Sequence, residues 1–202
     1  MKKTLLLAFL IGLIQGTSQA QFICGFDTHR DKESEASANA LIRNALATVS
    51  NDVHRETLTI PVVFHVIYSG SSGNISDASI INAVDELNLR FANSGIFNHS
   101  TGHTIDIQFC LASVDPFGYP SSGIQRVENA TYAFLSDGND LELKSLSRWA
   151  PLLYLNVWTV ADILNPLVGG YANYPNYAGY AFDGIVIESA FIDDTEVLAH
   201  EL

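Results

Sequence analysis

Apolar positions in this chain follow two periods, and the switches between them mark the elements. Residues 60–68, Ile60-Pro61-Val62-Val63-Phe64-His65-Val66-Ile67-Tyr68, are almost all apolar, β-branched or aromatic. Such a run predicts a strand covered on both faces, as in a parallel sheet. After a Gly- and Ser-rich turn at 69–74, Ile80, Ile81, Val84, Leu87 and Phe91 recur at helical spacing and form one stripe. Ser76 is the expected N-cap, Asp77 suits the positive helix end, Ile75 can staple onto Ile80, and Gly95 can end the helix. Further strands are predicted at 105–112, closed by the turn Asp115-Pro116-Phe117-Gly118, at 124–127, at 153–160 and at 183–188. A short helix is expected at 141–149, stopped by Pro151. Residues 169–175 have Gly and Pro at their ends and suit an edge strand. Asp193-x-x-Glu196 resembles a capping box opening a last helix. The order of elements predicts an α/β sandwich with a mostly parallel, twisted sheet.

The first residues follow another pattern. Lys2 and Lys3 precede an apolar run at 5–14, and Ser18-Gln19-Ala20 offers a small-residue cleavage site. Residues 1–20 therefore read as a secretory signal peptide, the run being too short for a membrane span. Gln21, Phe22 and Ile23 before Cys24 are too large for a lipoprotein processing site, so no stable membrane anchor is expected. Residues 21–57 read as a pro-segment or linker. Within them Leu41, Ile42, Leu46 and Val49 are spaced as one helical face. A helix packed on the main domain explains that spacing equally well. The domain proper is expected over 58–202.

Composition narrows the partners. The 202 residues are 48% apolar, enough for one sizeable core. The net charge is −12, and the leader holds two of the lysines and no acid, so the remainder is more acidic still. Such a surface repels nucleic acid and anionic membrane.

Chemistry concentrates in the last residues, Leu198-Ala199-His200-Glu201-Leu202. In H-E-x-x-H, two histidines one helical turn apart hold zinc and the intervening glutamate acts on a water. Here the first His-Glu pair is present on a predicted helix that follows a buried strand, and the sequence ends before a second histidine. His65 lies inside a core strand and reads as a hydrogen-bonded core histidine. His99 and His103 are four apart but separated by Thr101-Gly102 in a loop, which argues against a metal pair. Asp137-Gly138-Asn139-Asp140 raises calcium, without the spacing or closing glutamate of an EF-hand loop. The sequence holds no G-x-S-x-G, which removes the serine-hydrolase reading of an α/β sheet. Sequons stand at Asn74, Asn98 and Asn129.

From about residue 58 to 202 the chain resembles the N-terminal subdomain of pappalysin-type zinc metalloproteases, a branch of the metzincins. The resemblance rests on several pieces in order: Ile60-Pro61-Val62-Val63-Phe64-His65-Val66; Leu87-Asn88-x-x-Phe91; Phe109-Cys110-Leu111-Ala112 with Asp115-Pro116-x-Gly118; Gly123-Ile124-x-Arg126; Trp149-x-Pro151-x-x-Tyr154-Leu155-Asn156-Val157-Trp158; Gly170-Tyr171-Ala172-x-Tyr174-Pro175; and Asp183-Gly184-Ile185-Val186-Ile187. Ala150, Thr195, Glu196 and Val197 depart from the residues more usual there.

The resemblance implies a metzincin-like subdomain with an antiparallel edge strand, a backing helix and the start of the active-site helix. It implies a secreted endopeptidase with a Zn2+ cofactor, acting on protein or peptide substrates through a zinc-bound water. His200 would be a zinc ligand and Glu201 the general base, with the remaining ligands beyond Leu202. It also implies that Gly170, Tyr171, Ala172, Asn173 and Tyr174 form the edge along which a substrate peptide pairs. One histidine cannot hold zinc usefully, so this chain by itself is expected to be inactive. Cys24 would be a latency ligand, its thiolate closing the zinc site in a proform. Read from the residues alone, Cys24 and Cys110 are equally compatible with one disulfide, free thiols, or a partner outside the sequence. The reading from another class is a secreted binding domain that keeps the scaffold without the chemistry.

Overall fold

The structure is a computed structural model, and it describes residues 32–48, 57–136 and 138–202. The expected signal peptide, Cys24 and Asp137 lie outside the described residues. Helix α1 spans Lys32–Thr48, and strand β1 spans Leu58–Tyr68. Helix α2 (Asp77–Phe91), β2 (Ile107–Leu111), β3 (Ile124–Glu128) and β4 (Phe134–Leu135) follow. Then come α3 (Asp140–Ser145), β5 (Leu155–Val160), β6 (Asp162–Ile163), β7 (Gly170–Tyr171), β8 (Ile185–Glu188) and α4 (Thr195–His200).

Six strands form one sheet in the order β2-β1-β5-β8-β7, with β3 also pairing β1. Strand β1 pairs parallel with β2 along its first half, with β3 along its second half, and with β5 on the other side. Strand β8 runs parallel to β5, and β7 alone is antiparallel, Gly170 facing Ile187 and Tyr171 facing Val186. This is the mostly parallel sheet with an antiparallel edge that the sequence led us to expect. Strands β4 and β6 pair parallel in a separate small ribbon.

Each sheet face has its own cover, which is why β1 reads as a continuous apolar run. On one face Val62, Phe64, Val66, Val157, Ile185 and Ile187 pack against Ile80, Val84 and Leu87 of α2 and Leu198 of α4. On the other, Ile67, Trp158, Val160 and Val186 pack with Leu135, Leu143, Ile163 and Val168. The predicted cap of α2 is present: the Ser76 hydroxyl accepts from the Ser79 N–H at 3.0 Å.

Several expectations are revised. The edge strand is shorter than 169–175, because only Gly170 and Tyr171 make ladder pairs. The helix at 141–149 spans Asp140–Ser145, and β5 begins at Leu155. Helix α1 forms but buries Ala38, leaving Leu41 and Ile42 about half exposed. The Leu46 side chain and Val49, the other two residues of the expected face, lie outside what the structure describes. Asp194, not Asp193, caps α4 by accepting from the Glu196 N–H at 3.2 Å. The expected box is therefore one residue out of step, because the chain first makes a 3-10 turn at Ser189–Phe191.

His65 is fully buried, as expected of a core histidine. Its ring stacks on Trp158 with centroids 4.8 Å apart. Its Nε2 lies 2.9 Å from Asn156 Oδ1. Burial lowers its pKa from 6.5 to about 4, hydrogen bonding to Asn156 and Gln125 opposing part of the shift. The unfolded chain binds this proton near pH 6.5 and the folded chain only near pH 4. Stability is therefore intact above about pH 6.5 and falls as pH drops towards 4, by about 3 kcal/mol in all. Urea unfolding at pH 7 and pH 5 should show about 2 kcal/mol of this loss, and His65→Gln should flatten it. An unchanged pH slope in that variant would rule out His65 as the source.

Candidate functional site

Helix α4 carries the His-Glu pair, and its start is held from two sides. Thr195, the first helical residue, is 1% exposed. Its Oγ1 accepts from Arg90 Nε at 2.8 Å and donates to Glu86 Oε2 at 3.0 Å. Both partners lie on α2, one turn apart, so a single hydroxyl locks the two helices together. The Arg90 guanidinium also sits over the Phe97 ring, 4.0 Å from its centre. Leu198 buries into the core on the same side. Sequence reasoning registered Thr195 only as a departure from the usual residue; its partners are more than a hundred residues away and left no local signal.

His200 ends α4 on an exposed turn, and Glu201 is the C-cap, its N–H bonded to the Val197 carbonyl at 3.2 Å. The pair is thus presented at the rim of the domain, beyond the carboxyl end of β8. Among the described residues no three His, Cys, Asp or Glu side chains gather in a way that could hold a metal ion. A catalytic zinc ordinarily takes three protein ligands. The donor set present here, one imidazole, does not by itself fit zinc, and no catalytic step through zinc follows from these residues alone. Cys110 is a free, exposed thiol rather than half of a disulfide.

The edge segment lies beside α4 because two glycines let it. A Cβ on Gly170 would come 3.1 Å from the Val186 carbonyl oxygen and 3.4 Å from Val197 Cγ1 of α4. A Cβ on Gly169 would meet the Phe191 ring at 3.0 Å. Tyr171 therefore continues from a backbone pressed against the sheet, and Ala172 packs towards the core that α4 shares. Asn173 Nδ2 donates to the Phe182 carbonyl at 2.7 Å. Of the five residues expected to line a substrate edge, Gly170 and Tyr171 are strand, and Ala172, Asn173 and Tyr174 continue without ladder pairing. Next comes the 3-10 turn Pro175–Tyr177, and α1 lies against that turn.

With this geometry in view, the likeness to solved structures becomes interpretable. No family profile matches the chain. No curated protein matches it significantly. Three solved structures of mirolysin do match. A promirolysin mutant from Tannerella forsythia is 29% identical, with TM-score 0.62, covering 81% of this chain and 56% of that one. Mirolysin in complex with compound 9 is 29% identical, with TM-score 0.60, covering 73% and 62%. Mature mirolysin of T. forsythia in complex with a cleaved peptide is 32% identical, with TM-score 0.57, covering 67% and 54%. Mirolysin is a metzincin-type metalloprotease. This chain carries a metalloprotease scaffold of the metzincin kind. It spans between 54% and 62% of the length of these structures.

The clamp at the start of α4 is open to test. Thr195→Val keeps the shape and removes both hydrogen bonds. It should cost about 1–3 kcal/mol in chemical unfolding and speed amide exchange in α4. Thr195→Ser should retain most of the stability. Equal stability of the Val variant and the native chain would exclude a holding role for the hydroxyl.

Proposed function

We propose that this chain is the N-terminal part of a secreted zinc metalloendopeptidase of pappalysin type, with His200 as one zinc ligand and Glu201 as the general base. The observation that carries the reading is the placement of His200-Glu201 at the end of a helix clamped to α2, on a scaffold like that of mirolysin. Zinc, when bound, lends Lewis acidity and makes a neighbouring water easier to deprotonate. Glu201, the carboxylate next in sequence to His200, would serve as the general base in a site completed by further ligands. The edge 170–174 would orient an extended peptide by main-chain pairing. That mature mirolysin was solved with a cleaved peptide supports a peptide as substrate here.

The same reading assigns residues 1–20 to a signal peptide and 21–57 to a pro-segment, with Cys24 as a latency ligand. The proform of mirolysin covers more of this chain than the mature form does, 81% against 67%, in keeping with that assignment. The position of α1 against the turn that follows the edge segment supports it further. No helix among the described residues is long and apolar enough to cross a membrane.

The deciding experiment begins with the reading frame after Leu202. A continuation supplying two further histidines at H-E-x-x-H-x-x-G-x-x-H spacing supports the proposal. The protein so extended should bind one zinc and cleave peptides. Glu201→Gln should retain zinc and lower kcat by roughly a hundredfold to ten-thousandfold. The 202-residue chain alone should bind no stoichiometric zinc and cleave nothing. A stop codon after Leu202 would refute the peptidase reading and leave a binding domain, whereas full activity in Glu201→Gln would remove Glu201 as the general base. In the zymogen, Cys24→Ala should shorten latency, and unchanged latency would remove Cys24 from that role.

A further inference from the structure

One buried charge has no part in the chemistry just described. The Lys144 side chain on α3 is 0% exposed. Its ammonium lies 3.0 Å from Asp140 Oδ1 and donates to the carbonyl oxygens of Phe182 at 2.6 Å and Gly184 at 3.4 Å. It also lies 5.5 Å from the centre of the Tyr171 ring and 5.7 Å from that of Trp158. Burial lowers the Lys144 pKa, with Asp140 and Asp183 opposing the shift. A buried ammonium is costly unless every proton finds an acceptor, and here three acceptors converge. A Leu or Met would fill the same space without that cost, so packing does not explain the residue.

The acceptors do. Asp140 Oδ1 also accepts from the Tyr171 hydroxyl at 2.7 Å, and the Phe182 carbonyl also accepts from Asn173 Nδ2 at 2.7 Å. Each of the two oxygens nearest the ammonium therefore holds one side chain of the edge segment. Tyr171 and Asn173 are two apart, the spacing of side chains on one face of an extended chain. Ala172 between them packs to the opposite face. Ladder pairing of β7 with β8 stops at Tyr171, and just there the carbonyls of Phe182 and Gly184 turn to Lys144 and Asn173 instead. Side chains take over where the main-chain ladder ends, and the ammonium polarises the oxygens they use.

We propose that Lys144, acting through Asp140 and the Phe182 carbonyl, is the positioning residue that holds Tyr171–Asn173 extended as a docking edge for a peptide. This rests on the peptidase reading for its ligand but not for its geometry. The test uses the full chain for amide exchange and for binding of fluorescein-labelled oxidised insulin B chain, and the extended protein for cleavage of the same peptide. Lys144→Met should speed exchange at 171–174 about tenfold, leave β1 and β5 amides unchanged, and weaken peptide binding about tenfold. In cleavage it should raise KM about tenfold with kcat within about twofold. Tyr171→Phe and Asn173→Ala, which leave the ammonium paired, should each give a smaller shift in the same direction. Tyr171→Phe should add little once Lys144 is Met. Uniform loosening of the sheet, a fall in kcat at constant KM, or unchanged binding in all three variants would overturn the proposal. Should Lys144→Met fail to fold, the Tyr171 and Asn173 variants decide it. Binding that depends on Lys144 without any cleavage would count against the peptidase reading alone, and no binding by the native chain would overturn the docking edge itself.

Discussion

The Asn156 amide spends its hydrogen-bonding capacity inside the core. Its Oδ1 accepts from the Trp149 N–H at 2.9 Å and meets His65 Nε2 at 2.9 Å. Its Nδ2 donates to the carbonyls of Trp149 at 3.2 Å and Tyr154 at 3.1 Å. The two carbonyl partners fix which end of the amide is oxygen, and so fix the proton of His65 on Nε2. One side chain thereby ties β5 to β1 and closes the turn between α3 and β5. Trp158 then stacks on His65, and Gly184 must approach so closely that a Cβ would lie 2.6 Å from the Asn156 carbonyl oxygen. Its φ of +114° is also one that glycine alone tolerates well. The entry of β8 into the sheet is thus set by Asn156, and β8 in turn leads to α4 and its His-Glu pair.

Three polar nodes share this logic. The His65–Asn156 node is neutral and joins strand to strand. The Thr195–Arg90–Glu86 node joins α4 to α2 at the half-buried margin of the core. The Lys144–Asp140 node carries charge and joins α3 to the edge segment. Apolar packing would place these elements roughly, because burial has little direction. Hydrogen bonds with fixed geometry place them to a fraction of an ångström, which is what a site at the rim of a domain requires. Most of the buried polar atoms in these nodes are partnered, although His65 Nδ1 and the Trp158 Nε1 beside it are not.

What could be read in the sequence follows from the range of each signal. Strand β1, helix α2 and its Ser76 cap are local, and their periodicity announced them. The core role of His65 followed from its apolar neighbours, whereas Asn156, ninety-one residues away, could not be inferred as its partner. The α/β order with a parallel sheet was legible because crossover connections leave few arrangements. The His200-Glu201 pair was visible as residues; its placement on a clamped helix was not, since Thr195, Arg90 and Glu86 meet only in three dimensions. Lys144 stands four residues after Asp140, a spacing that by itself signals no more than a pair on a helix surface. Only the fold shows that this i,i+4 pair faces inward. The one-residue error at the α4 cap, Asp193 for Asp194, came from adjacent aspartates that propensity cannot separate.

The edge of the sheet explains why such a node is worth its cost. A β-strand edge with free N–H and C=O groups pairs with whatever extended chain it meets, and proteins usually blunt it. A peptide-docking edge faces the opposite demand, since it must stay open and straight without a neighbour to straighten it. Here the ladder covers only Gly170 and Tyr171. Beyond Tyr171 no ladder pair with β8 keeps the segment extended, and a 3-10 turn begins at Pro175. Anchoring through Tyr171 and Asn173 fixes the segment from one face without lengthening the ladder. A longer ladder would straighten the segment equally well, but it would occupy the stretch just before β8 whose carbonyls at 182 and 184 now hold the ammonium. The buried charge and the short ladder are therefore two sides of one arrangement, in which side chains supply the rigidity that the ladder does not.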